Sequence, residues 1–131
     1  MRAAALAALA LLAGGAEARP ACPAGLHPVT TAELFFGLDD AGVLITEVDW
    51  KAFVDREVTP RFPAGLTVWD ARGQWRNEAG SVTREPAKVM LIVLVGQTDA
   101  RARLAAVIQA YKARFHQRSV LLTEHLDCVS F

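Results

Sequence analysis

Val89 to Val95 reads VMLIVLV, seven apolar residues in a row that end at Gly96. The run is too short to cross a bilayer as a helix. Its β-branched residues and lack of 3.6-residue periodicity predict a central strand covered on both faces. The rest of the chain must then be arranged around that strand. Thr31–Leu38 (TAELFFGL) predicts a first strand, apolar on both sides, and Asp39-Asp40-Ala41-Gly42 a turn. Thr46 is a candidate N-cap, with Glu47 and Asp49 in the first turn of a helix. That helix carries Trp50, Phe53, Val54 and Val58 at helical spacing and stops before Pro60. Leu66–Arg76 predicts a second strand with a bulge at Gly73, and Asn77–Gly80 a turn. After Gly96, Thr98 and Asp99 open a second helix whose stripe is Leu104, Val107, Ile108, Tyr111 and Phe115. Ser119–Phe131 closes the domain as a last strand. The order β-α-β-β-α-β predicts an α+β domain, the ferredoxin-like plait, with both helices on one face of an antiparallel sheet.

That architecture leaves one sheet face open, and an open face should be polar at alternate positions. Val89–Val95 is not, and neither is Leu34-Phe35-Phe36. Something must cover that face. A second copy of the chain, making a homodimer, is the simplest cover. An apolar ligand, or the N-terminal arm 19–30 folded across the sheet, is the alternative.

Compartment decides how the cysteines are read. Residues 1–18 have the form of a signal peptide: Arg2, then an Ala/Leu run from Ala3 to Ala13, then Ala16-Glu17-Ala18 as a cleavage site. The chain is therefore expected to be exported, to the periplasm or the extracellular space, and to start at Arg19. Anchoring through a lipid on Cys22 is the weaker option, because Arg19 stands where such signals carry an apolar residue. In an oxidising compartment the even count, Cys22 and Cys128, favours a disulfide over two free thiols. No later segment is long and apolar enough to span a membrane, so no stable membrane insertion is expected after cleavage. The 14 basic and 14 acidic residues balance, and loss of Arg2 and Glu17 keeps the balance, so there is no basic excess for nucleic acid. His125-Leu126-Asp127-Cys128 does not make a metal site: in a strand, His125 and Asp127 share a face and Cys128 does not. His27 is isolated, and His116 reads as a partner for the end of the second helix. Zinc spacing, a phosphate loop, a nucleophile elbow and a dinucleotide fingerprint are all missing, so no metal or cofactor is expected.

The segments TAELFFGL, WKAF, VTPRFPAGLTVWDARGQWR, REPAKV, YKARFHQRSVL and the closing CVSF together resemble the bacterial domain-of-unknown-function 3574 family. The resemblance covers nearly all of the chain after residue 18. It implies an exported or envelope-linked bacterial protein and carries over no catalytic residues.

The richest of these segments is Thr59–Arg76, with Pro60, Pro63, Gly65, Gly73, Trp69, Trp75, Arg61, Arg72, Arg76 and Asp70. Arg61 is held stiffly between prolines. Asp70, Arg72 and Gln74 share one side of the strand. A turn near Glu78 and Ala79 is expected to bring Arg84 opposite Trp75 for a cation–π contact, and Glu85 and Lys88 back past Asp70. Arg61, Asp70, Arg72, Trp75, Arg84 and Glu85 are thus the expected ligand site, binding a small polar or anionic molecule or a protein partner. A structural ion-pair network is the plain alternative. A narrower alternative is a small acid–base enzyme, with Asp70 or Glu85 as general base and Arg61 as electrostatic stabiliser.

Overall fold

The computed structural model describes residues 21–131; the expected signal peptide and the start of the arm lie outside the described residues. The elements in chain order are β1 (His27–Gly37), the two-residue strands β2 (Asp39–Asp40) and β3 (Val43–Leu44), α1 (Glu47–Phe53), a π turn (Val54–Val58), β4 (Thr67–Arg76), β5 (Val82–Val93), α2 (Ala100–Arg114) and β6 (Leu121–Val129). The main sheet is antiparallel in the order β4-β5-β1-β6. This is the ferredoxin-like α+β arrangement predicted above, with β2 and β3 added as a small hairpin.

Each helix is placed by its apolar stripe. Thr46 caps α1 by accepting the Asp49 N–H at 3.2 Å, while Asp49 reaches back to the Thr46 N–H, a reciprocal cap. The last turn widens: Thr59 N–H donates to the Val54 carbonyl, and this brings Val58 into the core beside Trp50 and Phe53. On α2, Leu104, Val107, Tyr111 and Phe115 are buried. From β1, Ala32, Leu34 and Phe36 face the helices and are fully enclosed. Phe36, Trp50, Phe53 and Tyr111 meet edge to face at 4.7–6.1 Å, and the Tyr111 hydroxyl donates to the Gly37 carbonyl at 2.6 Å. Burial, then the charges of Glu85 and Asp40, push the Tyr111 phenol above its ordinary value.

Three expectations about the strands need correction. First, β5 starts at Val82, not Val89, because Pro86 does not end it. Residue N–H and C=O point to the same side of a strand, and the Pro86 carbonyl accepts from Leu38, just where β1 stops pairing. The missing N–H therefore faces no partner strand. Second, Gly73 forms no bulge: the register runs unbroken through Gly73 opposite Glu85. Third, the described part of the arm, residues 21–30, does not cross the open face. His27–Thr30 extend β1 and pair with Leu126–Val129 of β6. Cys22, just before β1, is bonded to Cys128 on β6 with the Cα atoms 5.5 Å apart, the pairing the sequence favours.

Candidate functional site

Register decides which side chains meet, because opposite residues in an antiparallel pair share a face. Asp70 of β4 lies opposite Lys88 of β5, and Gln74 lies opposite Arg84; both pairs face the helix side. Trp75 lies opposite Thr83, and Gly73 opposite Glu85; both pairs face the open side. The expected Trp75–Arg84 contact is therefore wrong by one residue. A slip of one flips every side chain to the other face. The cause is the loop: Asn77 N–H bonds the Ser81 carbonyl, the Asn77 side chain accepts the Ser81 N–H, and Gly80 takes a left-handed φ of 81°.

The expected site is thus divided. On the helix side, the β4–β5 hairpin extends beyond α1, leaving an open cleft of about 840 Å³ between the hairpin and the Leu44–Glu47 segment. Asp70, Arg72, Gln74 and Arg84 line it. Beside it, Lys88 is enclosed, its side chain 7% exposed, and its ammonium donates to both Asp70 and Glu47. Burial pushes the ammonium down, but the hydrogen bonds and charges of the two carboxylates outweigh it, so Lys88 titrates above the ordinary lysine value. Asp70 is not the buried carboxylate the strand pattern suggests: its side chain is 83% exposed, and its partner is Lys88, not Arg61 or Arg84. Among the described residues, neither Arg72 nor Arg84 meets a carboxylate.

Arg61 does not join them. It follows the π turn, at the opposite end of the sheet from the hairpin loop, and its guanidinium is taken by the Glu57 carboxylate at 2.9 Å and the Glu57 carbonyl. Arg103 of α2 donates to the Arg61 carbonyl at 2.7 Å. The stiff backbone between Pro60 and Pro63 thus ties the connection to α2. The catalytic grouping of Arg61, Asp70, Arg84 and Glu85 has no common location.

On the open side, Glu85 lies flat across Gly37 and accepts the Trp75 indole N–H at 3.0 Å. A Cβ at position 37 would stand 2.7 Å from the Glu85 carboxylate. Gly37→Ala should therefore swing the carboxylate away and release the indole. The expected cost is about 1 kcal/mol, with a red-shifted, more quenchable Trp emission; unchanged emission and stability would show that the contact is unimportant. Sequence reading missed this pair because Gly37 needs no unusual φ; only the neighbour on β5 makes a small residue matter there.

The minor motifs fall outside the cleft. His116, at φ 49°, sits past the end of α2 and contacts Asp40 at 2.9 Å, tying the β2–β3 hairpin to the helix. Asp127 takes the Thr31 hydroxyl on the open face, where His125 also points, while Cys128 is in the disulfide. Among the described residues, no group of His, Cys, Asp and Glu is arranged to hold a metal ion, and no helix is long and apolar enough to cross a membrane.

Comparisons place this geometry among known folds. A phage SAM lyase in complex with S-methyl-5'-thioadenosine superposes with a TM-score of 0.61 at 17% identity, over 89% of this chain and 97% of that one. CutA from Synechococcus elongatus matches with a TM-score of 0.50 at 13% identity, over 77% of this chain and 78% of that one. The periplasmic divalent cation tolerance protein CutA from Archaeoglobus fulgidus matches with a TM-score of 0.50 at 9% identity, over 73% and 81%. At such identities the likeness is one of fold. Among curated proteins, none matches in sequence. The family model described as protein of unknown function (DUF3574) matches residues 31–131, and the chain belongs to that family.

Proposed function

We propose that this protein is an exported binding module that recognises an anionic group, from a small molecule or a protein partner, through Arg72, Gln74 and Arg84. One observation carries this reading. Two guanidiniums on the same face of one hairpin point into a cleft and have no carboxylate partner among the described residues. Arginine's planar donor fork suits carboxylate and phosphate. Lys88 does not compete, because Asp70 and Glu47 already hold it. Fold neighbours hold small organic molecules, S-methyl-5'-thioadenosine in the phage lyase and Bis-Tris in a CutA, which supports a ligand role for this scaffold. The acid–base reading is weaker, since Glu85 faces the other side of the hairpin and Asp70 is engaged with Lys88.

Export is supported by the Cys22–Cys128 bond, which suits an oxidising compartment. Self-association through the open face is supported by the apolar row Trp69, Val89, Phe35 and Leu121, which crosses all four strands. Trp69 is 42% and Leu121 58% exposed at its two ends.

Thermal-shift titration with phosphate, citrate and nucleotide monophosphates tests the anion reading. Stabilisation by at least one of them, lost in Arg72→Ala/Arg84→Ala with an unchanged unliganded melting temperature, is the expected result. A wild-type response that survives the double variant would remove the arginines from the site.

A further inference from the structure

The open face carries an asymmetry that a net-neutral chain does not require. All Lys and Arg among the described residues lie on helices, loops or helix-side strand positions. The open face holds Glu33, Glu85 and Asp127 and no Lys or Arg. Glu33 stands at its centre, on the inner strand β1, half-buried between Leu91 and Thr123, with no hydrogen-bond or ion partner among the described residues. A half-buried carboxylate left without a partner is costly unless an incoming donor satisfies it.

Two copies packed open face to open face would bring these carboxylates together with no cation between them. Like charges so placed disfavour that pairing. The complementary surface is on the same molecule, on the reverse of the β4–β5 hairpin, where Arg72 and Arg84 are unpartnered and Gln74 adds an amide. We infer that the open face of one protomer receives the arginine side of the β4–β5 hairpin of the next, in a head-to-tail contact. The inference rests on the reading of Arg72 and Arg84 as an anion-binding pair and names the anion as the Glu33 carboxylate of a second copy. Trp69, Phe35 and Leu121, exposed or half-exposed around the buried Val89, supply the apolar part of the interface. The two patches lie on opposite faces of one sheet, so a two-fold axis cannot bring both pairs together at once; a closed assembly has three or more protomers.

Light scattering on the purified, disulfide-intact protein at micromolar concentration and low salt tests this. Wild type should have the mass of three or more protomers. Arg72→Glu/Arg84→Glu and Glu33→Lys should each be folded monomers by circular dichroism, and mixing them should restore assembly. Should either charge-reversal variant fail to fold, Arg84→Gln and Glu33→Gln take its place, each expected to raise the dissociation concentration at least tenfold. Salt at 1 M should dissociate the wild type, because that screening length is about 3 Å. A wild-type monomer overturns the inference, as does a dimer indifferent to Arg72→Glu/Arg84→Glu, which would be face-to-face pairing. The anion titration on the same variants separates the two readings. Arginine-dependent anion binding by a protein whose assembly ignores the arginines keeps the binding reading and rejects this one.

Discussion

Replacing Cys22 and Cys128 together by serine should lower the unfolding free energy by about 4 kcal/mol, within the usual range for a long closed loop. The bond spans 106 positions and joins the segment before β1 to the end of β6. Without it the unfolded chain regains nearly all of its loop freedom, whose loss the chain-entropy model puts at about 4–5 kcal/mol. Much of the native effect should be local. β6 is an edge strand, mostly exposed, and among the described residues its only sheet neighbour is β1. Residues 27–30 and 126–129 hold each other, with the disulfide beside them. Urea unfolding of the oxidised, reduced and Cys22→Ser/Cys128→Ser proteins measures the total. Amide exchange should show these two short segments losing protection first. Equal urea midpoints in all three forms would show that the bond does not bear on stability.

Neutralising the two carboxylates around Lys88 should be the next most costly change. Glu47→Gln/Asp70→Asn leaves the ammonium of an enclosed side chain without a counter-charge; because both carboxylates are largely exposed, the expected cost is about 2 kcal/mol. Lys88→Met should cost far less. It keeps the buried stem opposite Phe36, and the carboxylates, 74% and 83% exposed, return to water. The order of the two variants is the test; a Lys88→Met protein less stable than the double carboxylate variant would contradict it. The pH dependence has a definite sign. The folded Lys88 titrates above 10.5, its ordinary value, so its contribution is fully present below that pH. It is lost as the solution is made alkaline through the raised folded value. Lys88→Met should remove that alkaline loss and leave the neutral region unchanged.

Most of the architecture was legible in the sequence because each element carries its own period and its own stops. Trp50, Phe53 and Val58 mark a face of α1 and its π turn, and Leu104, Val107, Tyr111 and Phe115 mark α2 and its C-cap; those are the residues buried in the core. The site was legible as a set of residue types but not as a place. Arg72, Gln74 and Asp70 were read on one side of β4, and they are. Arg84 and Glu85 were gathered with them, yet adjacent residues of a strand point to opposite faces, and only Arg84 shares that side. Arg61 drew attention because of its flanking prolines. Its carboxylate partner is Glu57, four residues back; that spacing was in the sequence, but Pro60 reads as the end of the helix, whereas the helical turns run on through Arg61.

Local chemistry written in the chain determined the element types, the β-α-β-β-α-β order, the faces of both helices and the pairing of the only two cysteines. These follow from periodicity, capping and turn residues, or from a count. The tertiary structure alone decided which side chains oppose each other across the hairpin, because a loop longer or shorter by one residue reverses every face. It also decided that Pro86 is tolerated inside β5, since that depends on where β1 stops pairing. The same holds for the preference for glycine at Gly37, which comes from a carboxylate on the neighbouring strand and not from its own backbone angles. The segregation of charge between the two sheet faces emerges only when the register is known, because sequence neighbours such as Arg84 and Glu85 are assigned to opposite sides by it.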